Sequence, residues 1–188
     1  MSLRRQLRYS TCFTAGFSGP PIGCPITFLS AHHIPVHKAA SSYCYLPLYI
    51  FCGDQILCAR LRQSNSDAAA GSLAEIQRIV AQIRAAWPKV KIILRGDSGF
   101  CRNELMSWCE ANRVDYGFGL ARNQRLRRII GPQMWEATQQ WGETGKPARV
   151  FTEFSYQTKK RKNGGWERER RVVAKSPTVR FMSARLSN

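Results

Sequence analysis

The clearest ordering of apolar and polar positions runs through residues 90–100, Val-Lys-Ile-Ile-Leu-Arg-Gly-Asp-Ser-Gly-Phe. A short β-branched apolar run of this kind predicts a strand covered on both faces. Pro88 and Lys89 bound it on one side. Gly96-Asp97-Ser98-Gly99 punctuates the other, before a helical pattern that starts near Arg102. Asp97 therefore falls where the strand stops, the edge at which open α/β sheets place ligands. With small residues on either side, its carboxylate can approach a metal or a substrate. The same position also suits a helix cap or a turn, and this stretch alone favours that plainer role.

Ahead of this strand, residues 43–52 and 55–62 form two runs separated by Gly53-Asp54, a predicted β-hairpin. Pro47 marks a bulge or an edge position within it. Ser64-Asn65-Ser66-Asp67 then offers cap chemistry to an amphipathic helix. Leu73, Ile76, Ile79, Val80, Ile83 and Trp87 recur there at helical spacing up to Pro88. Beyond the strand, Leu105, Met106, Trp108 and Cys109 form the buried side of a second helix. Residues 115–121 read as another strand, and a basic helix follows from about Asn123, interrupted by Gly131-Pro132. After Gly145-Lys146-Pro147, strands over Val150 to Tyr156 and 170–174 flank a basic loop, Lys159-Lys160-Arg161-Lys162-Asn163-Gly164-Gly165. Residues 176–188 show little pattern, and residues 1–42 read as an atypical, loosely packed leader.

Charge changes this picture. The chain of 188 residues carries 29 basic and 12 acidic side chains, net +17, which points to a polyanionic partner. The excess gathers late, since residues 144–188 hold 12 basic against 3 acidic residues. Seven cysteines, an odd count with no CxxC pair, suit a reducing cytosol. No apolar run approaches a membrane span, and no signal-type apolar segment follows Arg4, Arg5 and Arg8. His33 and His37, with Cys12 and Cys24, invite a zinc reading, but the cysteines lie too far apart for a finger knuckle.

Five stretches stand in order: Cys44-Tyr45-Leu46-Pro47-Leu48-Tyr49, Arg95-Gly96-Asp97-Ser98-Gly99-Phe100, Cys109-Glu110-Ala111-Asn112-Arg113, Gly119-Leu120-Ala121-Arg122-Asn123 and Arg168-Glu169-Arg170-Arg171-Val172-Val173. With them, residues 43–176 resemble the DDE transposases of bacterial insertion sequences. The resemblance implies an α/β, ribonuclease H-like mixed sheet with flanking helices and a β-rich basic insertion at the C-terminal end. It divides the chain into the leader 1–42, a partial core 43–143 and an insertion segment 144–188. It implies DNA cleavage and strand transfer by two-metal chemistry, with Asp, Asp and Glu binding two Mg²⁺ ions. Asp97 matches the second Asp and becomes a catalytic metal ligand. The resemblance further implies a bacterial, cytoplasmic, nucleoid-associated protein, no membrane partner, and homo-oligomers as the family forms them.

The departures are as specific. The family's first Asp belongs on a strand before the hairpin, yet no acidic residue precedes Asp54. The family's Glu lies on a helix beyond the insertion, and Glu167 and Glu169 sit in the insertion's strand instead. The chain thus reads as a truncated remnant without strand transfer. The alternative is a non-catalytic basic protein binding nucleic acid through Arg122, Arg125, Arg127, Arg128, Lys159, Lys160, Arg161 and Lys162. Trp166, Tyr156 and Phe154 interleave with those charges as stacking candidates or as the buried side of a strand.

Overall fold

A computed structural model describes residues 24–30, 45–63, 65–158, 165–176 and 180–185. The chain divides into two compact units, Met1–Arg95 and Gly96–Asn188. In the first, β1 (Cys24–Ser30), β2 (Leu48–Cys52), β3 (Gln55–Arg60) and β4 (Ile92–Gly96) lie in the order β3-β2-β1-β4, with α1 (Ser72–Ala86) between β3 and β4 in sequence. β2 pairs antiparallel with both β1 and β3, whereas β4 runs parallel to β1. This mixed pairing is consistent with a ribonuclease H-like domain.

The expected hairpin forms, with Cys52 opposite Gln55 and a turn in which Gly53 takes φ 56°. Its bulge lies between Ile50 and Phe51, not at Pro47, which precedes β2. β1 is the main departure, because Cys24–Ser30 lies inside the stretch read as a loose leader. Ile26 is fully buried, and the strand bonds to β2 on one side and β4 on the other. Its sequence Cys-Pro-Ile-Thr-Phe-Leu-Ser has the β-branched and aromatic content of a strand. The neighbouring Gly-Pro signals masked it.

α1 starts later than its cap chemistry suggests, at Ser72, after Gly71 in the left-handed region at φ 72°. Asp67 instead closes a turn, accepting from the Ala69 amide at 2.8 Å. The buried Arg62 guanidinium donates to the carbonyls of Leu46, Ala68 and Ala70 at 2.8–3.0 Å and so holds that turn in place. Ile76, Ile79, Val80 and Ile83 then form the buried stripe. On β4, Ile92 and Leu94 are buried while Ile93 is half-buried, so one face is covered more fully than the other.

The second unit begins with a 3-10 turn (Ser98–Phe100) and α2 (Asn103–Ala111). β5 (Asp115–Leu120), α3 (Gln124–Ile129), α4 (Gly131–Thr144), β6 (Val150–Tyr156), β7 (Arg170–Ser176) and β8 (Arg180–Arg185) follow. Its strands lie in the order β5-β8-β7-β6, all antiparallel. The unpatterned stretch after 176 is therefore corrected, since Arg180–Arg185 forms an interior strand between β5 and β7. Pairing on both edges outweighs its weak alternation. The basic helix splits as its glycine and proline indicate, and Asn123 caps α3 by accepting from the Leu126 amide at 2.9 Å. Trp108 is only half-buried beside Leu105, Met106 and Cys109. Of the basic loop expected over residues 159–165, residues 159–164 lie outside the described residues.

Replacing Ile26 by alanine removes a fully buried side chain from the middle of the first sheet. Urea unfolding is expected to show a loss of about 2–5 kcal/mol. A loss below about 0.5 kcal/mol, the size typical of surface substitutions, would return residues 24–30 to the leader.

Candidate functional site

Asp97 follows β4 directly and opens the 3-10 turn. Its Oδ1 accepts from the Gly99 amide at 2.8 Å, and the Phe100 amide bonds back to the Asp97 carbonyl at 3.2 Å. The turn-opening role read from the local sequence is thus realised. The carboxylate is half-buried, and among the described residues Oδ2 has no hydrogen-bond partner.

Two glycines shape this turn. A Cβ on Gly119 of β5 would lie 3.0 Å from the Ser98 nitrogen and 3.2 Å from the Asp97 carbonyl carbon. A Cβ on Gly96 would meet Phe100 and Phe118 side chains at 3.1–3.2 Å. Backbone cannot yield as a flexible side chain can, so Gly119 is the stricter requirement. It lets β5 press against the main chain that carries the carboxylate.

A polar cluster ties α2 to β7 within the same unit. Glu110 accepts from Tyr116 Oη at 2.7 Å and from Arg170 Nε at 2.9 Å, and Arg168 donates to it as well. Arg170, with only 3% of its side chain exposed, also donates to Asn103 Oδ1 at 3.0 Å and Ser107 Oγ at 2.9 Å. Its guanidinium carbon stands 5.7 Å from the Trp166 ring centre. Burial pushes the Glu110 carboxyl up, but the hydrogen bonds from Arg170, Arg168 and Tyr116 outweigh it and hold the group down at about 2. Burial raises the free thiols of Cys101 and Cys109 to about 12, and burial with Glu75 nearby raises that of Cys58 to about 11, so none is a ready nucleophile. Cys52 is disulfide-bonded, although the cysteine spacing suited a reducing cytosol.

Arg122, Arg125, Arg127 and Arg128 are all exposed on or just before α3. Arg125 stacks 5.1 Å over the Tyr156 ring and donates to the Gln157 carbonyl at 3.3 Å. Arg127 and Arg128 lie in the last turn, where the helix dipole favours cations, and neither meets a carboxylate among the described residues. Lys159, Lys160, Arg161 and Lys162 lie outside the described residues, as do the side chains of Cys12, Cys24, His33 and His37. Trp166 and Tyr156 are buried, 3% and 4% exposed, and pack edge to face at 5.9 Å. They are core side chains, and the stacking role read for them is withdrawn. Large aromatic surface is exposed elsewhere, at Trp135, Trp141 and Phe151. Sequence reasoning missed these because an exposed tryptophan carries no periodic signal.

Two-metal chemistry needs several carboxylates around one point. Among the described residues, no three His, Cys, Asp or Glu side chains gather as a metal site. Asp54 is in the hairpin turn, Asp67 closes its own turn, Asp115 is buried at the start of β5, and Glu104 is exposed on α2. β1, parallel to β4 with Thr27 opposite Arg95, carries no acidic residue at all. The described residues therefore do not fit a two-metal site.

The family model described as "Transposase DDE domain group 1" matches residues 34–180. Comparisons with curated proteins and with solved structures find no match.

The Glu110 cluster has a pH signature. Because its folded value lies below the ordinary glutamate value, Glu110 stabilises the fold above about pH 4.5. That contribution is lost as pH falls toward 2. Thermal unfolding across this window is expected to show a steep acid loss that flattens in Glu110→Gln, and equal slopes in both proteins would refute the assignment.

Proposed function

The chain belongs to the DDE-domain transposases, and from that premise we propose that it binds DNA without cutting or joining it. DNA is the substrate of the family, and the basic excess supplies the electrostatic part of the binding. The exposed Arg122, Arg127 and Arg128 support this reading, with Arg125 braced beside them on Tyr156. Lys159, Lys160, Arg161 and Lys162 add charge to the same half of the chain. Contacts of this kind meet phosphates and carry no sequence information, so binding is nonspecific.

The observation that carries the second half of the proposal is the composition of β1. It runs parallel to the strand that leads into Asp97, yet it offers proline, isoleucine, threonine, phenylalanine, leucine and serine and no carboxylate. Mg²⁺ dehydrates reluctantly and takes one or two carboxylates together with substrate phosphates. A lone half-buried Asp97, with one oxygen already bonded to Gly99, is a poor resident for it. Asp97 occupies the family's second carboxylate position, and here it serves the turn. On this reading the chain is a catalytically incompetent member of its family that keeps its DNA affinity. No helix among the described residues is long and apolar enough to cross a membrane.

Two measurements test this. Supercoiled DNA incubated with the full chain and Mg²⁺ or Mn²⁺ is expected to stay uncut, and duplex affinity is expected to drop steeply from low to physiological salt as counterions are released. Asp97→Asn should bind duplex DNA as well as the parent or slightly better, since it removes one negative charge. Metal-dependent nicking that vanishes in Asp97→Asn would overturn the incompetent reading. Salt-insensitive binding would overturn the phosphate-contact reading.

A further inference from the structure

The sheet of the first unit carries apolar residues on both faces, and α1 lies on one of them. Residues paired across neighbouring strands put their side chains on the same side of a sheet. Leu48 pairs with Arg60, and Arg60 meets Glu75 of α1 at 3.5 Å. Ile26, Leu48, Ile50, Ile92 and Leu94 share that side and are buried. The opposite side carries Phe51, paired with Thr27 and Ile56, and Tyr49, paired with Ala59. Both rings are half-buried, and their centres stand 6.2 Å apart. A bridge between Tyr45 and Gln63 continues the same register, which puts Tyr45 and Leu61 on this side too. Tyr45 is 61% exposed, Ile56 49% and Leu61 67%. These are the exposed large apolar side chains of this unit among the described residues, and all three lie on one face. An apolar patch of this kind marks an interaction site.

Shape and charge narrow what fits it. A parallel pair such as β1 and β4 belongs to sheets that carry helices on both faces. The exposed apolar residues run along β2 and β3, a width of about 10 Å at the usual strand spacing, which is the diameter of one helix. From Tyr45 to Phe51 the stripe is about 20 Å long, or about 13 residues of helix. Beyond it, alternation along β4 brings the exposed Lys91 and Arg95 to the same face, on either side of the half-buried Ile93. β1, β2 and β4 contain no acidic residue. One flank of the stripe is therefore cationic. A second copy of the chain, itself at net +17, would bring more positive charge against that flank.

We propose that this face docks an amphipathic helix of a partner protein, with large apolar residues along one side and glutamate or aspartate on the flank that meets Lys91 and Arg95. The proposal does not rest on the DNA-binding reading, which draws on residues of the second unit.

The test uses the full chain and three labelled 14-residue helical peptides, followed by anisotropy. The first has leucine and phenylalanine at helical spacing and glutamate on one flank. The second replaces each glutamate by lysine, and the third scrambles the first so that its apolar side is lost. The acidic peptide is expected to bind at least about tenfold tighter than the other two at low salt. Leu61→Ser and Ile56→Ser change exposed positions, so the fold is retained, and each is expected to weaken that binding by at least about fivefold. Arg95→Ala should narrow the gap between the acidic and lysine peptides while leaving the lysine peptide no weaker. A scrambled peptide that binds as well as the ordered one would reduce the effect to nonspecific attraction by a basic protein and overturn the proposal. Equal binding of the lysine peptide, or full affinity in Leu61→Ser and Ile56→Ser, would overturn it as well. A parent chain that is dimeric and becomes monomeric in Leu61→Ser would assign the face to a second copy instead. A parent that binds none of the peptides would refute the docking role outright.

Discussion

Arg170 and Glu110 are two oppositely charged side chains almost excluded from water, and the second unit is built around satisfying both. Burying either alone costs several kcal/mol, so each must find its full complement of partners. Arg170 does so with bonds to Glu110, Asn103 and Ser107 and an indole face below it. Glu110 does so with Tyr116 and two arginines. These partners come from α2, β5 and the approach to β7, so the ion pair fixes which residues of the three elements face one another. Hydrophobic contact alone would let α2 slide by a turn. Bonds from β5, from β7 and from the segment just before β7 to one carboxylate do not.

Arg62 plays the corresponding part in the first unit, but with main-chain partners. Its guanidinium gathers carbonyls from residue 46 and from residues 67–70, segments that would otherwise be a free loop between β3 and α1. Desolvation lowers its pKa, and an arginine side chain keeps its charge inside a protein all the same. Each unit thus relies on a buried arginine, the first to order irregular chain and the second to join α2 to β7. That use of charge is separate from the arginines on α3, which stay in solvent and remain available to a polyanion.

The candidate site sets a carboxylate at the end of one strand beside a strand that carries none. β4, the turn after it and the Gly119 contact hold a carboxylate in place. β1 forms and pairs as a strand in that position needs to, yet it has nothing acidic to offer. Strand formation depends on β propensity and on edge pairing, neither of which requires a carboxylate. Strand pairing and the placing of a carboxylate draw on different residues, so the first does not entail the second.

The periodic parts of the chain were legible from sequence: the hairpin at Gly53, the stripe of α1, the strand ending at Asp97, and the break at Gly131-Pro132. Each rests on local spacing or on a turn residue, which are properties of neighbours along the chain. The position of Asp97 and the Glu110 and Arg170 motifs were visible too, though not that the last two would meet. Tertiary structure alone decided the rest. β1 and β8 exist because two flanking strands satisfy their backbone groups, a condition that no local pattern records. Pairing across more than 50 residues brought Arg170 to Glu110, and burial turned Tyr156 and Trp166 inward while leaving Trp135 outside. Periodicity shows which residues share a face, but the packing of distant segments settles which face meets water.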